Sequence, residues 1–354
     1  MCKVNRREFI AASTAFLSVA AEAEILTGGV SMAAAETVEA DRVASDVYFH
    51  AGDLTSDSAP AVCNNGWVIF EDYVLVIDAN FPAGAKLIIS KIRAMTDKPI
   101  RFAFDTHHHG DHAYGNQIYV ENGAVPVAHT GVLEEMRRLE TGYYGGKPGR
   151  WEEAAKSRQD LAGTHLKPPS VLFPKELYFD DGKHRVELMH LGVAHTHGDA
   201  VAWLPKERIL FTGDVCVNGP FNFVGDGDTL KWVATLEAAK KLGAQTVCTG
   251  HGPRSVSSVL DDQQMFFKVL QDQVHTKLAS GTPDDAKAQI EAIRTALKSN
   301  AQVARYVSGP GKDDGFPSQV QKVYEELTGK TLSAFLDEPH RARRAHAHAH
   351  GFAA

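Results

Sequence analysis

Short apolar runs separated by turn residues dominate residues 46–80. These runs are 47–49, 67–70 and 73–78. Runs of this length that are rich in valine, isoleucine and aromatic residues are typical of β-strands, and the polar turn between the last two predicts a hairpin. Apolar residues then recur at helical spacing over 83–95. A further buried strand is predicted to begin near Pro99 and to end in a histidine-rich loop.

The same alternation of strands and helices continues along the chain. Further strands are predicted at 125–129, 177–179, 186–191, 201–204, 209–211 and 246–248. Helices are predicted at 229–242, 256–278, 284–299 and 319–328. Strands interleaved with helices predict a mixed α/β core, and the helices at the end of the chain predict an extension of that core.

Residues 141–170 break this rhythm. The segment begins with a glycine-rich loop that carries Tyr143 and Tyr144, continues as a predicted polar helix at 151–161 and ends in a pair of prolines. Long connections of this kind are often functional. We interpret the segment as an insertion over the active site, which acts either as a mobile lid or substrate wall or as plain surface packing.

Residues that bind metals follow the strand that ends near Asp105. The pattern H-x-H-x-D-H in this loop offers four ligands, which are His107, His109, Asp111 and His112. Imidazole nitrogens and carboxylate oxygens are ligands that zinc accepts readily. Alternate residues point the same way, so His107 and His109 can share one metal, while Asp111 and His112 can reach a second.

Three later strands end near further residues of the same types. These residues are His195, Asp214 and His251, and each is close to a glycine. One zinc needs about three protein ligands plus a water, so a set of seven side chains suits two metals. The alternative is a solvated polar loop or an adventitious metal-binding run, but clustered histidines with an aspartate after a strand favour a site.

These motifs and their order resemble the metallo-β-lactamase superfamily of zinc hydrolases. The resemblance covers roughly residues 46–275 and rests on H-x-H-x-D-H at 107–112, on His195 followed by Thr-His-Gly, on Asp214, and on His251 between two glycines. It implies an α/β (α+β) fold, a four-layer αββα sandwich with the metals at one sheet edge. The domain would be followed by a helical extension at 276–340.

The resemblance implies a role for each ligand in a site that contains two Zn2+ ions per chain. His107, His109 and His195 would hold the first Zn2+, Asp111, His112 and His251 would hold the second, and Asp214 would bridge them. Asp111 would also be catalytic, because it is placed to orient the attacking hydroxide and to move its proton.

Four further residues are expected beside the ligands or facing the substrate. They are Asp78, His197, Tyr143 and Tyr144. Asp78 ends a strand where the superfamily often has an aspartate that orients a ligand imidazole. His195 fits the ligand position better than His197, because it immediately precedes the threonine of the motif.

The chemistry implied is dinuclear zinc-dependent hydrolysis, in which a metal-bridging hydroxide attacks a carbonyl-type substrate. An aspartate at position 214 differs from true β-lactamases of this fold, which have cysteine or serine there. It resembles the hydroxyacylglutathione hydrolases, lactonases and phosphodiesterases. Residues 1–35 indicate export, which would suit β-lactams better than glutathione thioesters, so a β-lactam-like amide or lactone ranks first. The alternatives are a thioester or phosphodiester hydrolase of the same fold and a non-catalytic zinc-binding protein.

Residues 1–35 have the features of a twin-arginine export signal. An arginine pair at 6–7 precedes a moderately apolar run and then small residues that end before Glu36. This order is typical of exported proteins, and the run is too short for a membrane span. Glu22 and Glu24 interrupt it, which leaves an amphipathic helix as the alternative. We expect a periplasmic or secreted mature protein.

Charge and composition bear on the partners. A net charge of -7, without a basic stripe, argues against nucleic acid. We expect a small-molecule substrate and no membrane span in the mature protein, and the C-terminal helices could cover the sandwich, form a homodimer contact or cap the substrate.

The three cysteines after the export segment lack a C-x-x-C motif, which favours buried free thiols. The histidine-rich tail at 341–354 is expected to be disordered coil rather than a zinc-collecting segment.

Overall fold

Two β-sheets contain the strands of the residues described. The structure is a computed structural model, and it describes residues 40–56, 59–279, 285–310 and 314–332. In sheet order, the strands of the first sheet in these ranges are β1 (Asp41–Ala44), β2 (Val47–His50), β3 (Asn65–Ile69), β4 (Val74–Ile77), β5 (Ile100–Asp105), β6 (Val125–His129) and β7 (Val171–Phe173). Those of the second sheet, numbered along the chain, are β8 (Glu176–Asp180), β9 (Arg185–Met189), β10 (Val201–Leu204), β11 (Ile209–Gly213), β12 (Thr246–Thr249) and β13 (Ser255–Val256). The predicted export signal and histidine-rich tail lie outside the described residues.

Each sheet combines antiparallel and parallel pairs. In the first sheet β1 to β4 pair antiparallel, and β4 to β7 pair parallel. In the second sheet the order is β13-β12-β11-β10-β9-β8, with β11 and β12 parallel. Within the described residues the chain passes from the first sheet to the second once, between β7 and β8. Parallel neighbours bring their carboxyl ends to one edge, which is where loop residues of several strands can meet.

Helices cover the outer faces of both sheets. In chain order, the α-helices of the described residues are α1 (Pro82–Met95), α2 (Gly110–Ala113), α3 (Asn116–Glu121), α4 (Thr130–Leu139), α5 (Arg150–Ala154), α6 (Thr229–Lys241), α7 (Ser258–Val274), α8 (Ala286–Ser299) and α9 (Phe316–Thr328), with a π-helical turn at His275–Ala279. In α1, Ile88 and Ile92 pack against the first sheet. In the described ranges no helix combines the length and the apolar composition that crossing a membrane requires.

The main core lies between the two sheets. Phe104 and Val127 of the first sheet pack there against Leu188 and Phe211 of the second. Strand β4 is buried at all four residues, because it has the inter-sheet core on one face and α1 on the other. A strand buried on both faces reads as a continuous apolar run, as this sequence does. The layers are helix, sheet, sheet and helix, so the predicted αββα sandwich is confirmed.

Helices α8 and α9 belong to the outer core of the second sheet. Ile293 of α8 and Val320 of α9 lie in one apolar cluster with Trp232 of α6 and Phe267 of α7. Trp232 and Phe267 are in ring contact, with centroids 4.5 Å apart. The helices at the end of the chain therefore cover the sandwich, which is one of the roles expected for them.

Several predicted boundaries were wrong. The helix expected at 151–161 ends at Ala154, and a separate 3-10 turn follows at Gln159–Leu161. The guanidinium of Arg158 lies 3.6 Å from the centre of the Phe81 ring in this break, so a tertiary contact overrides the local preference for helix. The helix expected from residue 256 begins at Ser258, because Val256 belongs to β13. The two-residue strand β13 is too short to give a period-2 pattern.

The three described cysteines are buried thiols without a disulfide, in agreement with the sequence. Burial raises the pKa of Cys63 to about 12. The thiol of Cys63 accepts a hydrogen bond from Asn80 Nδ2 at 3.3 Å. Cys63 is therefore protonated at neutral pH and serves as a buried packing residue beside Asn80.

Candidate metal centre

The candidate metal centre forms where strand ends meet. His107 and His109 follow β5, Asp111 and His112 lie in α2, His195 lies between β9 and β10, Asp214 follows β11, and His251 follows β12. The turn before Asp214 requires glycine: Gly213 has a φ of 49°, and a Cβ there would lie 2.3 Å from Thr106 Oγ1. This close approach joins the end of β11 to the loop that follows β5.

One group of ligand atoms consists of His107, His109 and His195. Each residue offers one nitrogen, and these nitrogens lie within 4.8 Å of one another. His195 Nε2 is 2.8 Å from His109 Nδ1. Burial lowers the pKa of His107 well below its ordinary value and also lowers that of His195, so both rings are neutral donors at neutral pH. Three buried imidazoles that face one point form a set that zinc accepts.

A second group consists of Asp111, His112 and His251, whose ligand atoms also lie within 4.8 Å of one another. His251 Nε2 is 3.2 Å from Asp111 Oδ2 and 3.3 Å from His112 Nε2. The side chain of Asp111 is 16% exposed, whereas that of His112 is fully buried. Asp111 is thus the ligand candidate of this group that solvent and substrate can reach.

Asp214 lies between the two groups. Its Oδ2 is 3.5 Å from His195 Nε2 and 3.5 Å from His251 Nε2, while its Oδ1 is 3.5 Å from His112 Nε2. Its carboxylate therefore faces the nitrogen of His195 in the first group and those of His112 and His251 in the second. The structure brings together all seven residues that the sequence singled out as ligands.

Buried atoms without partners test whether a metal fits here. His107 Nε2 and Asp214 Oδ1 are both buried and have no hydrogen-bond partner. Leaving such an atom unsatisfied costs about 1–3 kcal/mol, so a site built this way needs something else to bind. The atoms around them that could coordinate a metal are imidazole nitrogens and carboxylate oxygens within a few ångströms, a set that suits zinc or a similar divalent ion. The residues present fit a metal centre.

Asp78 contacts His112 of the second group on the side of the ring away from the other ligand candidates. Its Oδ2 is 3.0 Å from His112 Nδ1, and its Oδ1 accepts hydrogen bonds from Thr106 N at 2.9 Å and Thr106 Oγ1 at 2.8 Å. Asp78 has a φ of 64°, a conformation that costs energy for a residue with a side chain. The strained backbone presents the carboxylate to His112, which fixes the imidazole so that Nε2 faces the other ligands.

Asp226 is a residue of the site that the sequence did not indicate. Its Oδ2 is 2.9 Å from His109 Nε2, and Arg150 donates to both of its oxygens, at 2.5 Å and 2.9 Å. Burial opposes the ionisation of Asp226, but hydrogen bonds from His108, His109 and Arg150 hold its pKa well below the ordinary value. The carboxylate is therefore charged and orients His109. Its one sequence signal is an aspartate between two glycines, which is weak.

Aromatic side chains border the ligand groups. The ring of Phe223 lies 5.6 Å from that of His109, and the ring of Phe221 lies 6.1 Å from that of His251. The carbonyl of Phe223 accepts a hydrogen bond from His195 Nδ1 at 2.8 Å. This bond places the proton on Nδ1 and leaves His195 Nε2 free to bind a metal.

The remaining predicted site residues lie on the surface. Tyr143 and Tyr144 are 48% and 42% exposed, and their ring centroids are 4.9 Å apart. His197 is 54% exposed at its side chain, with Nδ1 3.9 Å from Glu135 Oε1. Among the described residues, His197 belongs to none of the groups of histidine, cysteine and carboxylate side chains that could hold a metal. That these three residues contact substrate stays a prediction.

Part of the insertion is packed into the protein. Ala154, Leu161 and Leu166 form a buried apolar cluster with Phe81 and Tyr114. The carboxylate of Glu140 accepts hydrogen bonds from the Tyr114 hydroxyl and from the Trp151 backbone N–H. These contacts favour fixed packing over a mobile lid for this stretch.

Comparison with protein families identifies the class. A family model described as the metallo-beta-lactamase superfamily matches residues 59–251, more than half of the 354 residues. The chain therefore belongs to the metallo-β-lactamase superfamily, and it is a metallo-hydrolase of that fold. The match contains all seven ligand candidates and ends at the last of them, His251.

Solved structures agree on the fold. A metallo-beta-lactamase from Pontibacter korlensis has a TM-score of 0.54 and 17% identity, over 66% of this chain and 99% of that one. DIM-1 metallo-beta-lactamase has a TM-score of 0.52 and 18% identity, over 65% and 96%. VMB-1 has a TM-score of 0.52 and 20% identity, over 66% and 98%. About a third of this chain thus lies outside each of these alignments.

Proposed function

We propose that this protein is a dinuclear zinc-dependent hydrolase that acts on a carbonyl-type substrate. The observation that carries the proposal is the position of Asp214, whose carboxylate faces His195 of one ligand group and His112 and His251 of the other at 3.5 Å. A carboxylate shared in this way can hold two cations near each other and offset their repulsion. Two zinc ions bound here would polarise a carbonyl and lower the pKa of water to about 7.

Asp111 is proposed to handle the proton. Its Oδ2 lies 3.2 Å from His251 Nε2, and the side chain keeps contact with solvent. A carboxylate that is both anchored and partly exposed can accept a proton from the attacking water and deliver it to the leaving group. The buried ligands His107 and His112 lack that access. Asp111 therefore combines a ligand role with general acid–base work.

We rank a β-lactam-like amide or a lactone first as substrate. Phe221 and Phe223 provide apolar walls beside the ligands, which suits a compact amide or lactone ring better than the anionic phosphate of a phosphodiester. The expected export of the chain supports the same choice, because β-lactams are met outside the cytoplasm. A thioester or phosphodiester hydrolase of the same fold is the alternative within this chemistry.

Metal analysis and a substrate panel test the function. Purified protein loaded with zinc should hold about two zinc ions per chain. It should hydrolyse one or more of a cephalosporin, a lactone, a thioester, an aryl phosphodiester and a sulfate ester, and a chelator should abolish that turnover reversibly. Fewer than one zinc per chain after loading, with no turnover on the panel, would refute the proposal.

Removal of residues 341–354 separates an enzyme from a zinc-collecting protein. An enzyme should keep both zinc ions and its rate, since the seven ligand candidates all lie before this segment. A protein whose role is to collect zinc through the tail would lose metal stoichiometry instead.

A further inference from the structure

A single loop links the metal centre to the helices at the end of the chain. We call residues 217–229 the metal-edge loop; it begins shortly after Asp214 and ends at the first residue of α6. It contains Phe221 and Phe223, which border the ligand groups, and Asp226, which contacts His109. Whatever fixes the path of this loop also fixes one side of the site.

Gln263 of α7 holds the first half of the loop. Its Oε1 accepts a hydrogen bond from Val217 N at 2.7 Å, and its Nε2 donates to Asn222 Oδ1 at 2.9 Å. The backbone N–H of Val217 can only donate, so the amide of Gln263 has one possible orientation and must present its nitrogen to Asn222. Gln263 is completely buried, so water does not compete for these bonds.

Gln319 of α9 holds the same residue by its backbone. Its Nε2 donates to the carbonyl oxygen of Asn222 at 2.7 Å, and the side chain is 3% exposed. A carbonyl can only accept, so the nitrogen end of this amide must face the loop. Asn222 is thus held at its side chain from α7 and at its main chain from α9.

The end of the loop is held from the same two helices. Gln271 of α7 donates from Nε2 to the Thr229 carbonyl at 2.7 Å. Glu326 of α9 accepts from Thr229 N at 3.1 Å and from its hydroxyl. All four supporting side chains come after residue 251, where the family match ends. These four contacts therefore come from the part of the chain that lies after the family match.

The support reaches a candidate metal ligand in two steps. Asn222 is fixed by Gln263 and Gln319, and the next residue, Phe223, accepts the hydrogen bond from His195 Nδ1 at 2.8 Å. A shift of the Asn222 backbone would move that carbonyl and release the His195 ring. His195 Nε2, which lies 2.8 Å from His109 Nδ1, would then lose its fixed direction.

We propose that Gln263 and Gln319 are positioning residues of the metal centre, through which the C-terminal helices set the orientation of His195 and the aromatic wall of the substrate cleft. The inference rests on the proposed function, because it assigns these residues to the same hydrolytic site. It goes beyond that function in making the helices after residue 251 part of the site.

Replacement of one buried glutamine by methionine tests the proposal. Gln319→Met keeps the side-chain volume and removes the donor to Asn222. Gln321→Met is the matched control, since Gln321 is also a buried glutamine of α9, but its amide bonds to Glu325 and Leu332 within the C-terminal region. Both variants should lose some thermal stability. A change in zinc binding or KM that appears only in Gln319→Met is therefore not caused by lower stability alone.

Gln319→Met should weaken zinc binding at the His107, His109 and His195 group about three- to tenfold, less than the 10–100-fold typical of direct partners of a ligand. Its KM should rise by a similar factor, because the wall formed by Phe221 and Phe223 loosens. Gln321→Met should leave zinc affinity and KM unchanged. Equal values for the two variants would overturn the inference.

Nuclear magnetic resonance of metal-free protein separates this inference from the proposed function. The His195 Nδ1–H, assigned by its loss in His195→Asn, should exchange slowly with water in wild type and Gln321→Met, and about tenfold faster in Gln319→Met. This readout needs neither zinc nor turnover. If wild type bound no zinc, the proposed function would fail while the exchange rates still decided the inference.

A second variant covers the case in which Gln319→Met does not fold. Asn222→Ala removes the acceptor of Gln263 from the loop side and leaves α7 and α9 unaltered. It should also speed exchange of the His195 Nδ1–H and raise KM. Unchanged exchange and unchanged KM in folded Asn222→Ala would contradict the role assigned to Gln263.

Discussion

The insertion and the C-terminal helices hold the metal-edge loop from two sides by different means. The insertion uses charge: Arg150 forms two hydrogen bonds to Asp226, and both side chains are mostly buried. The C-terminal helices use neutral amides, with Gln263 and Gln319 bonded to Asn222. A buried ion pair is costly to break because one charge is left unpaired, whereas a lost amide bond has a smaller cost. The contact at Asp226 should therefore cost more free energy to remove than the contacts at Asn222.

The largest effect is expected at Asp214, which neither support contacts. Asp214→Ala should release one zinc and lower kcat/KM by at least about a hundredfold, in the upper range for lost metal contacts. The fold should survive, because the inter-sheet core does not involve this side chain. Zinc analysis and steady-state kinetics check this. Two retained zinc ions and near-normal turnover would show that Asp214 is not a shared ligand.

The charged support should fail next. Arg150→Met leaves the buried Asp226 carboxylate without its cation and should lower the free energy of unfolding by about 3 kcal/mol. Arg138→Met is the control, because Arg138 is 57% exposed and its pair with Glu135 should contribute less than about 1 kcal/mol. Urea unfolding measures both. Adding Asp226→Asn to Arg150→Met should recover part of the loss, and a double variant no better than the single one would contradict the unpaired-charge account.

Acid should distinguish the two supports. The pKa of Asp226 is lower in the folded than in the unfolded protein. Its carboxylate therefore stabilises the folded protein fully above the unfolded-state pKa of about 4. This stabilisation is lost as the pH falls further, through the folded-state pKa. The stability difference between wild type and Asp226→Asn should therefore shrink below about pH 4. The difference between wild type and Gln319→Met should stay constant, since an amide does not titrate. Denaturant midpoints of metal-free protein over this pH range measure both differences.

The smallest effect on stability is expected at the exposed end of the insertion. Tyr143→Ala and Tyr144→Ala should each change the free energy of unfolding by less than about 0.5 kcal/mol, as is usual for surface sites. Kinetics then decide the role predicted from the sequence. A raised KM with unchanged zinc content would place these rings against substrate, and an unchanged KM would limit the insertion to its packing role.

The ligand candidates could be predicted because their signal is local. His107 to His112 form one short motif, Asp214 and His251 closely follow strands β11 and β12, and His195 lies in the loop between β9 and β10 within its own short His-Thr-His-Gly motif. The supports could not be predicted, because their partners are far apart along the chain. Arg150 and Asp226 are 76 residues apart, and Asn222 and Gln319 are 97 apart. The position of a glutamine in an amphipathic helix does not show which distant residue its side chain will contact.

The fold could likewise be predicted where the sequence signal is local and not where it depends on short strands or distant contacts. Strands with several apolar residues, such as β4 and β6, were predicted close to their observed bounds. Strands β1 and β7 were missed, because edge strands of three or four residues give too few positions to reveal a period. The break after Ala154 depends on a contact between Arg158 and a ring that precedes it by more than seventy residues.

In the described residues the chain crosses between the sheets once, between β7 and β8, and this crossing divides the ligand candidates between two contiguous halves of the chain. The half before residue 174 supplies His107, His109, Asp111 and His112, and the half after residue 175 supplies His195, Asp214 and His251. If the chain were split at residues 174–175, each fragment would hold an incomplete coordination shell. Zinc captured by the two co-expressed fragments would then report that they had reassembled, which makes this connection a natural place for a split-protein sensor.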